Sequence, residues 1–342
     1  MKGEMKASDD QISELQVVAD CDYTNKLKAF DDTKAGVKGL VDAGVQRIPR
    51  IFVRPIEENI FKSNLQLPVI SLEGIRIAER RKEIVSELKT TAEKWGFFQL
   101  VNHSIPEVVL TEIIDGVVRF NELEIEEKKE FYSRDGRKSC IFNSNYDLLK
   151  AKTANWRDTM TISVTNKLNP SELPATCREA SIEYSKHVTR LGKILLELLS
   201  EALDLNPIIS MRCSKHTDAG FLTILLQNQI NGLQILHEDH WIDVNLISGA
   251  LSVNVGDLLQ LITNDKFRSA EHRAVANILG PRISVACFFP GTVPAPKIYG
   301  PIVELISENN PPLYREILLS EYIMNFFSRG LEDRVNLDYY RL

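Results

Sequence analysis

No stretch of this 342-residue chain approaches the roughly 20 consecutive apolar residues of a membrane-spanning helix. The residues from Met1 to Lys6 also lack the apolar core of a secretory signal, so a cytoplasmic protein without a membrane partner is expected. Cysteine is scarce. Cys21, Cys140, Cys177, Cys213 and Cys287 are odd in number and contain no Cys-x-x-Cys pair, which points to reduced thiols. Basic residues are outnumbered, 41 against 47 acidic for a net charge of −6, and no basic stripe is interleaved with aromatics, so nucleic acid is not the expected partner. Gly36, Gly39 and Gly44 lack both a Gly-Lys-Ser/Thr ending and a preceding strand, which argues against a phosphate loop. There are no internal repeats and no low-complexity tracts. What remains is ordinary globular composition, 44% hydrophobic and 26% charged, with length enough for one large core or two modest ones.

Against that background one ordered set of residues stands out: His216-Thr217-Asp218, then His272, then Arg282-Ile283-Ser284. Two imidazoles and a carboxylate can hold non-haem Fe(II) while leaving coordination positions open. In an extended segment, residues i and i+2 share a face, so His216 and Asp218 can grip one ion while Thr217 turns away. Zinc is the rival occupant, because it also accepts histidine and carboxylate in a three-ligand site. Arg282 and Ser284, again i and i+2, suit a carboxylate that takes a forked hydrogen bond, and this favours iron with a 2-oxo acid.

Other motifs carry less. His237-Glu238-Asp239-His240 is dense in potential ligands, but consecutive residues at a hairpin tip diverge, so it reads as a solvated turn. The Ser-x-x-Lys match at Ser86 and Lys89 lies in a plain amphipathic helix. Asn102-His103-Ser104 is a glycosylation sequon with no route to the secretory pathway. His103 and His187 have no partner at metal-ligand spacing. Asn155-Trp156-Arg157-Asp158 reads as a structural support.

Periodicity divides the chain into an early helical part and a later β part. Residues 1–60 are polar and expected to lie across the surface, with 48–53 as an extended anchor. A strand is expected at 67–72, a helix over 76–94, a strand at 95–101 and a helix after Pro106. A long helix is expected over 178–205, short strands at 232–236, 241–244, 250–255 and 282–289, and a last helix over 313–327. Helices first and strands second argue for an α+β fold, a jelly-roll barrel with helical buttresses. The expected divisions are 1–60 as an N-terminal extension, 61–207 as a mostly helical region, 208–300 as the jelly-roll region and 301–342 as a C-terminal helix and tail.

The chain resembles the plant 2-oxoglutarate- and Fe(II)-dependent dioxygenases, and within them the 1-aminocyclopropane-1-carboxylate oxidase homologue group. The resemblance rests on residues 28–39 and 48–52, on 95–99 with Asn102-His103, on 155–158, on 216–289 and on 297–301. It implies a double-stranded β-helix holding Fe(II) on His216, Asp218 and His272. The distal carboxylate of 2-oxoglutarate would sit on Arg282 and Ser284, with ascorbate as reductant. It further implies oxidation of a small metabolite by O2 in a monomeric enzyme, with Phe288 and Phe142 on the substrate side. Ethylene formation is the weaker enzymatic alternative, since the triad and Arg-x-Ser do not exclude it while residues 28–39 and 48–52 resemble the homologue group.

One departure from the family is plain. Only Ile208 to Lys215 separate the Asn206-Pro207 helix end from His216. The family pattern is longer there by about two dozen residues, more than the ~5–6 of a typical strand. The fold is therefore expected to lack one barrel strand before His216, together with a tyrosine that in the family helps bind 2-oxoglutarate. A catalytically poor isoform that retains metal binding is the alternative this gap raises.

Overall fold

Helix precedes strand along most of the chain. The computed structural model describes residues 22–54, 65–149, 151–164, 169–205, 220–276, 279–289, 297–328 and 337–342. In chain order they form α1 (22–33), α2 (Gly36–Asp42), β1 (Val69–Ser71), α3 (Ala78–Lys94), β2 (Phe97–Val101), α4 (Glu107–Asn121), α5 (Ile125–Phe131), β3 (Cys140–Ser144), β4 (Asp158–Ile162) and α6 (Arg178–Ala202). There follow β5 (Leu222–Gln227), β6 (Leu233–His237), β7 (His240–Asp243), β8 (Leu251–Val255), α7 (Asp257–Ile262), β9 (His272–Ala274), β10 (Ser284–Phe289), β11 (Ile298–Tyr299), β12 (Ile317–Leu318) and α8 (Leu319–Ser328). The last helix starts later than its periodicity suggests, because Ile317 and Leu318 pair with Tyr299 and Ile298 as a short ladder.

These elements fall into two compact units: the described residues within Met1–Ile56 and Leu123–Ile162, and those within Glu57–Glu122, Ser163–Ser328 and Arg334–Leu342. The linear divisions expected from the sequence cross these units.

The first unit corrects the picture of a polar extension lying across the surface. Leu27, Phe30, Val37, Ile51 and Phe52 are buried in a core with Leu148 and Ala154. Residues 50–52 make a single 3-10 turn rather than an extended anchor. A few apolar side chains among many charges leave too weak a period to read locally. Asp158 is a structural residue: its carboxylate accepts the Val37 and Lys38 backbone N–H groups at 2.7 and 2.8 Å, satisfying free donors at the start of α2. Asn145 grips the Asn155 backbone through two hydrogen bonds of 2.7 Å, and the Trp156 ring meets Phe52 edge-on at 5.0 Å. Phe142 is 1% exposed and lies against Tyr132.

Besides the short β11-β12 ladder, the second unit holds two sheets among the described residues. The larger runs β1-β2-β8-β5-β10 and the smaller β7-β6-β9. The strand registers sort the larger sheet into two faces. On one face Phe98, Val253, Ile224 and Cys287 lie side by side and pack, with Leu88, Leu110, Tyr184 and Leu195, into the helical core. This face is the buttressed one, and apolar spacing along α6 (Tyr184, Val188, Leu191, Leu195) serves it. Burial pushes the Cys287 thiol up to about 12, so it stays protonated.

The other face carries Gln99, Ser252, Thr223 and Asn254 among Phe97 and Leu225, and it turns toward the smaller sheet. Phe97 and Leu225 pack there against Leu233, Ile235 and Ile242. Gly96 makes the turn from α3 into β2 at φ +62°, where a Cβ would stand 1.9 Å from the Arg268 carbonyl oxygen. Only glycine fits both the dihedral and the space. The expected jelly roll is thus present as two facing sheets. Among the described residues the larger sheet ends on β10 and the smaller on β9.

The remaining histidines are structural. His103 Nδ1 accepts the Ile105 N–H at 3.2 Å, and its Nε2–H donates to the Gly249 carbonyl at 2.8 Å, a pattern only the neutral ring can make. Burial lowers its pKa accordingly. The turn at 238–239 is a two-residue hairpin loop with φ of 49° and 61°, and His237 stacks on Trp95 at 3.8 Å. No group of three or more potential metal ligands occurs among the described residues.

Candidate functional site

His272 opens β9 and pairs in register with Ile235, whose side chain belongs to the inter-sheet core. Its ring meets Phe97 edge-on at 5.7 Å, so the imidazole looks into the space between the sheets. Nδ1 lies 3.1 Å from the Ala270 carbonyl oxygen. A carbonyl can only accept, so Nδ1 carries the hydrogen and Nε2 keeps its lone pair for a metal. That tautomer fits an iron site. His216 and Asp218 lie outside the described residues.

Arg282 and Ser284 stand where β10 begins. Ser284 faces Gln227 across the ladder, Ala286 faces Leu225, and Phe288 faces Thr223. These side chains continue the polar, inter-sheet face, and the row through Phe288, Thr223 and Asn254 ends on Phe97, the residue against His272. Phe288 is half-buried, while Ser284 and Ala286 are exposed on the open face.

The Arg282 guanidinium is held on one side only. Nη2 donates to Gln227 Oε1 at 2.9 Å and Nη1 to Ser284 Oγ at 3.4 Å, whereas Nε is buried with no partner. No carboxylate pairs with it among the described residues, and burial lowers its pKa. A buried cation with donors unspent is a site for a carboxylate, so the residues present fit a 2-oxo diacid. Its stem is close-packed. A Cβ on Gly232, at φ +147°, would meet Arg282 Cδ at 3.2 Å and the Val275 carbonyl oxygen at 2.6 Å. Val275 is three residues beyond His272, roughly 10 Å along an extended strand, so the histidine and the arginine mark two ends of an elongated site.

The sequence alone did not single out β5, Gln227, Asn228 or Gly232. The run Leu222–Gln227 between Gly220 and Asn228 is apolar and strand-length, a signal that was available. The role of Gln227 depends on its register with Ser284, which no local pattern carries.

Comparison with known proteins shows the family and the fold. Residues 201–290 match the 2OG-Fe(II) oxygenase superfamily, and 67–182 match the non-haem dioxygenase in morphine synthesis N-terminal family. The chain is 47% identical to 1-aminocyclopropane-1-carboxylate oxidase homolog 1 of Arabidopsis thaliana, covering 96% of this chain and all of that one. It is 47% identical to deacetoxyvindoline 4-hydroxylase of Catharanthus roseus, covering 93% and 89%. The solved structure of JOX2 in complex with 2OG, Fe and JA superposes with a TM-score of 0.78 at 23% identity, covering 90% and 97%. The dioxygenase for auxin oxidation in rice superposes at 0.64 with 19% identity, covering 81% and 100%.

The chain belongs to the 2OG-Fe(II) oxygenase superfamily. It is a 2-oxoglutarate-dependent dioxygenase with a jelly-roll fold, similar over most of its length to the plant oxidase homologues and the Catharanthus hydroxylase. Neither ethylene formation nor a merely metal-binding isoform is favoured by these relatives.

The Arabidopsis match spans 363 aligned positions against 96% of 342 residues, a surplus of about 35 positions in the relative. Among the described residues the ladders of the two sheets end at β9 and β10, and an exposed strand edge is a site for intermolecular pairing. Inserting the relative's segment before His216 is expected to raise the thermal midpoint by several degrees and to reduce aggregation, since each inward apolar side chain contributes ~1.5–3 kcal/mol. Equal midpoint and solubility in the two chains would show that the shortened form is complete as it stands.

Proposed function

We propose that this enzyme oxidises a small, largely apolar metabolite of the hormone or specialised-metabolite kind, with His216, Asp218 and His272 as the Fe(II) ligands and Arg282 with Ser284 as the 2-oxoglutarate anchor. The observation that carries this reading is the half-buried Arg282 guanidinium beside Ser284, without a carboxylate partner among the described residues, on the sheet face that looks toward His272. When bound, iron and 2-oxoglutarate supply the oxidising power, with succinate and CO2 as the co-products.

The chain's own residues position and shield. His272 keeps Nε2 available through its bond to Ala270. Arg282 neutralises the distal carboxylate and sets the direction of the diacid. Phe288, Ala286 and Leu225 offer an apolar wall, and Thr223 and Asn254 in the adjoining positions can orient a polar substituent.

The names of the similar proteins support this substrate class: a hydroxylase acting on deacetoxyvindoline, an oxygenase crystallised with JA, and an auxin-oxidising dioxygenase. A monomer located in the cytoplasm completes the proposal. No helix among the described residues is long and apolar enough to cross a membrane. Cys177 and Cys287 are free thiols.

Purified protein with Fe(II), ascorbate, O2 and 2-oxoglutarate is expected to form succinate, at a rate raised at least several-fold by one member of a panel of apolar hormones and alkaloids. Absence of stimulation by every apolar member, with stimulation by a highly charged one, would overturn the substrate class.

A further inference from the structure

Among the described residues, the partners of Arg282 are all neutral. Gln227 Oε1 takes the Nη2 bond at 2.9 Å, and the Ser284 hydroxyl takes the longer Nη1 contact. Asn228 fixes the backbone on both sides of the arginine. Its Oδ1 accepts the Ile283 N–H at 3.0 Å, its Nδ2–H donates to the Pro281 carbonyl at 3.0 Å, and its backbone N–H donates to the Ile283 carbonyl at 2.9 Å. Gly232 leaves room for the side chain to pass, at 3.2 Å from Cδ to a hypothetical Cβ. The guanidinium is therefore aimed by its stem, its backbone and one side-chain acceptor. None of these removes its charge.

A carboxylate at position 227 would reach the same Nη2 and form a charge-assisted pair. Such a pair would satisfy the arginine and spend its charge within the protein. The amide holds Nη2 without pairing the charge, which has no carboxylate partner among the described residues. We propose that Gln227 is a positioning residue that aims the Arg282 guanidinium through a neutral acceptor, so that its full charge is reserved for the distal carboxylate of 2-oxoglutarate. The inference rests on the anchor role of Arg282 given above. It adds the element that decides orientation and the length of diacid accepted, because a pinned guanidinium meets the carboxylate at one distance only.

The test uses the full chain loaded with Fe(II) in the absence of oxygen, with calorimetric titration of 2-oxoglutarate and of the longer 2-oxoadipate, and the thermal midpoint of the ligand-free protein. Gln227→Glu is expected to leave the midpoint unchanged or higher while weakening 2-oxoglutarate at least tenfold. Gln227→Leu keeps the charge but frees the guanidinium, so 2-oxoglutarate should weaken about three- to tenfold and the preference over 2-oxoadipate should shrink. In turnover the change should fall on the KM for 2-oxoglutarate, with kcat at saturation within about twofold of the parent. A merely structural glutamine would lower the midpoint in both variants and leave the 2-oxoadipate preference intact, and that result overturns the proposal. If Arg282→Ala weakens 2-oxoglutarate while Gln227→Glu binds it as tightly as the parent, the proposal fails alone. If Arg282→Ala also binds it unchanged, the anchor assignment fails and takes this proposal with it.

Discussion

Replacing His272 with alanine is expected to leave the fold in place and to remove iron and turnover together. A site with two histidines and one carboxylate has no ligand to spare, and even partners outside the coordination sphere are worth about 10–100-fold in affinity, so loss of a direct ligand should exceed 100-fold. The fold should survive because, among the described residues, the ring makes one edge contact, with Phe97, and one hydrogen bond, to Ala270. His216→Ala and Asp218→Ala should behave alike. Iron content by metal analysis and succinate yield are the measurements. Full iron occupancy in both histidine variants would sink the assignment.

Arg282→Ala should separate the two cofactors. Leaving one partner of a buried charge pair without the other costs roughly 3–5 kcal/mol. With each 1.4 kcal/mol worth about tenfold, the affinity for 2-oxoglutarate should fall at least about a hundredfold. Iron occupancy should stay near that of the parent. Without ligand, the variant should be no less stable, because the charge removed is half-buried and, among the described residues, uncompensated. Arg282→Lys retains the charge but not the fork and should lie between. An unchanged 2-oxoglutarate titration in Arg282→Ala would take the residue out of the site.

Much of the architecture was legible locally. The helices α3, α4 and α6 and the strands β2, β6, β7, β8 and β10 lie within a few residues of their expected places, because their side-chain period is set within one element. The turn at 238–239 was also legible, since a two-residue connection between apolar runs permits little else. Ile77 shows where periodicity stops being informative. It lies within the helix expected over 76–94, yet it is the exposed residue preceding α3.

The first unit was not legible. Its core joins residues near 30 and 50 to Leu148 and Ala154, and Asp158 caps a helix some 120 positions earlier. Such contacts leave no period in either segment.

For the site, the sequence by itself determined the chemistry. Two histidines, an aspartate and an Arg-x-Ser pair offer ligands for a metal and donors for a carboxylate, because ligand type is a property of the side chain. The tertiary structure decided how those groups are used. It turned His272 toward Phe97 and set its tautomer through the Ala270 carbonyl. It also gave Arg282 neutral partners and set Gln227 beside it by pairing β5 with β10. Strand register and burial are long-range quantities, fixed when distant segments meet, and the charge state and aim of a buried group depend on them.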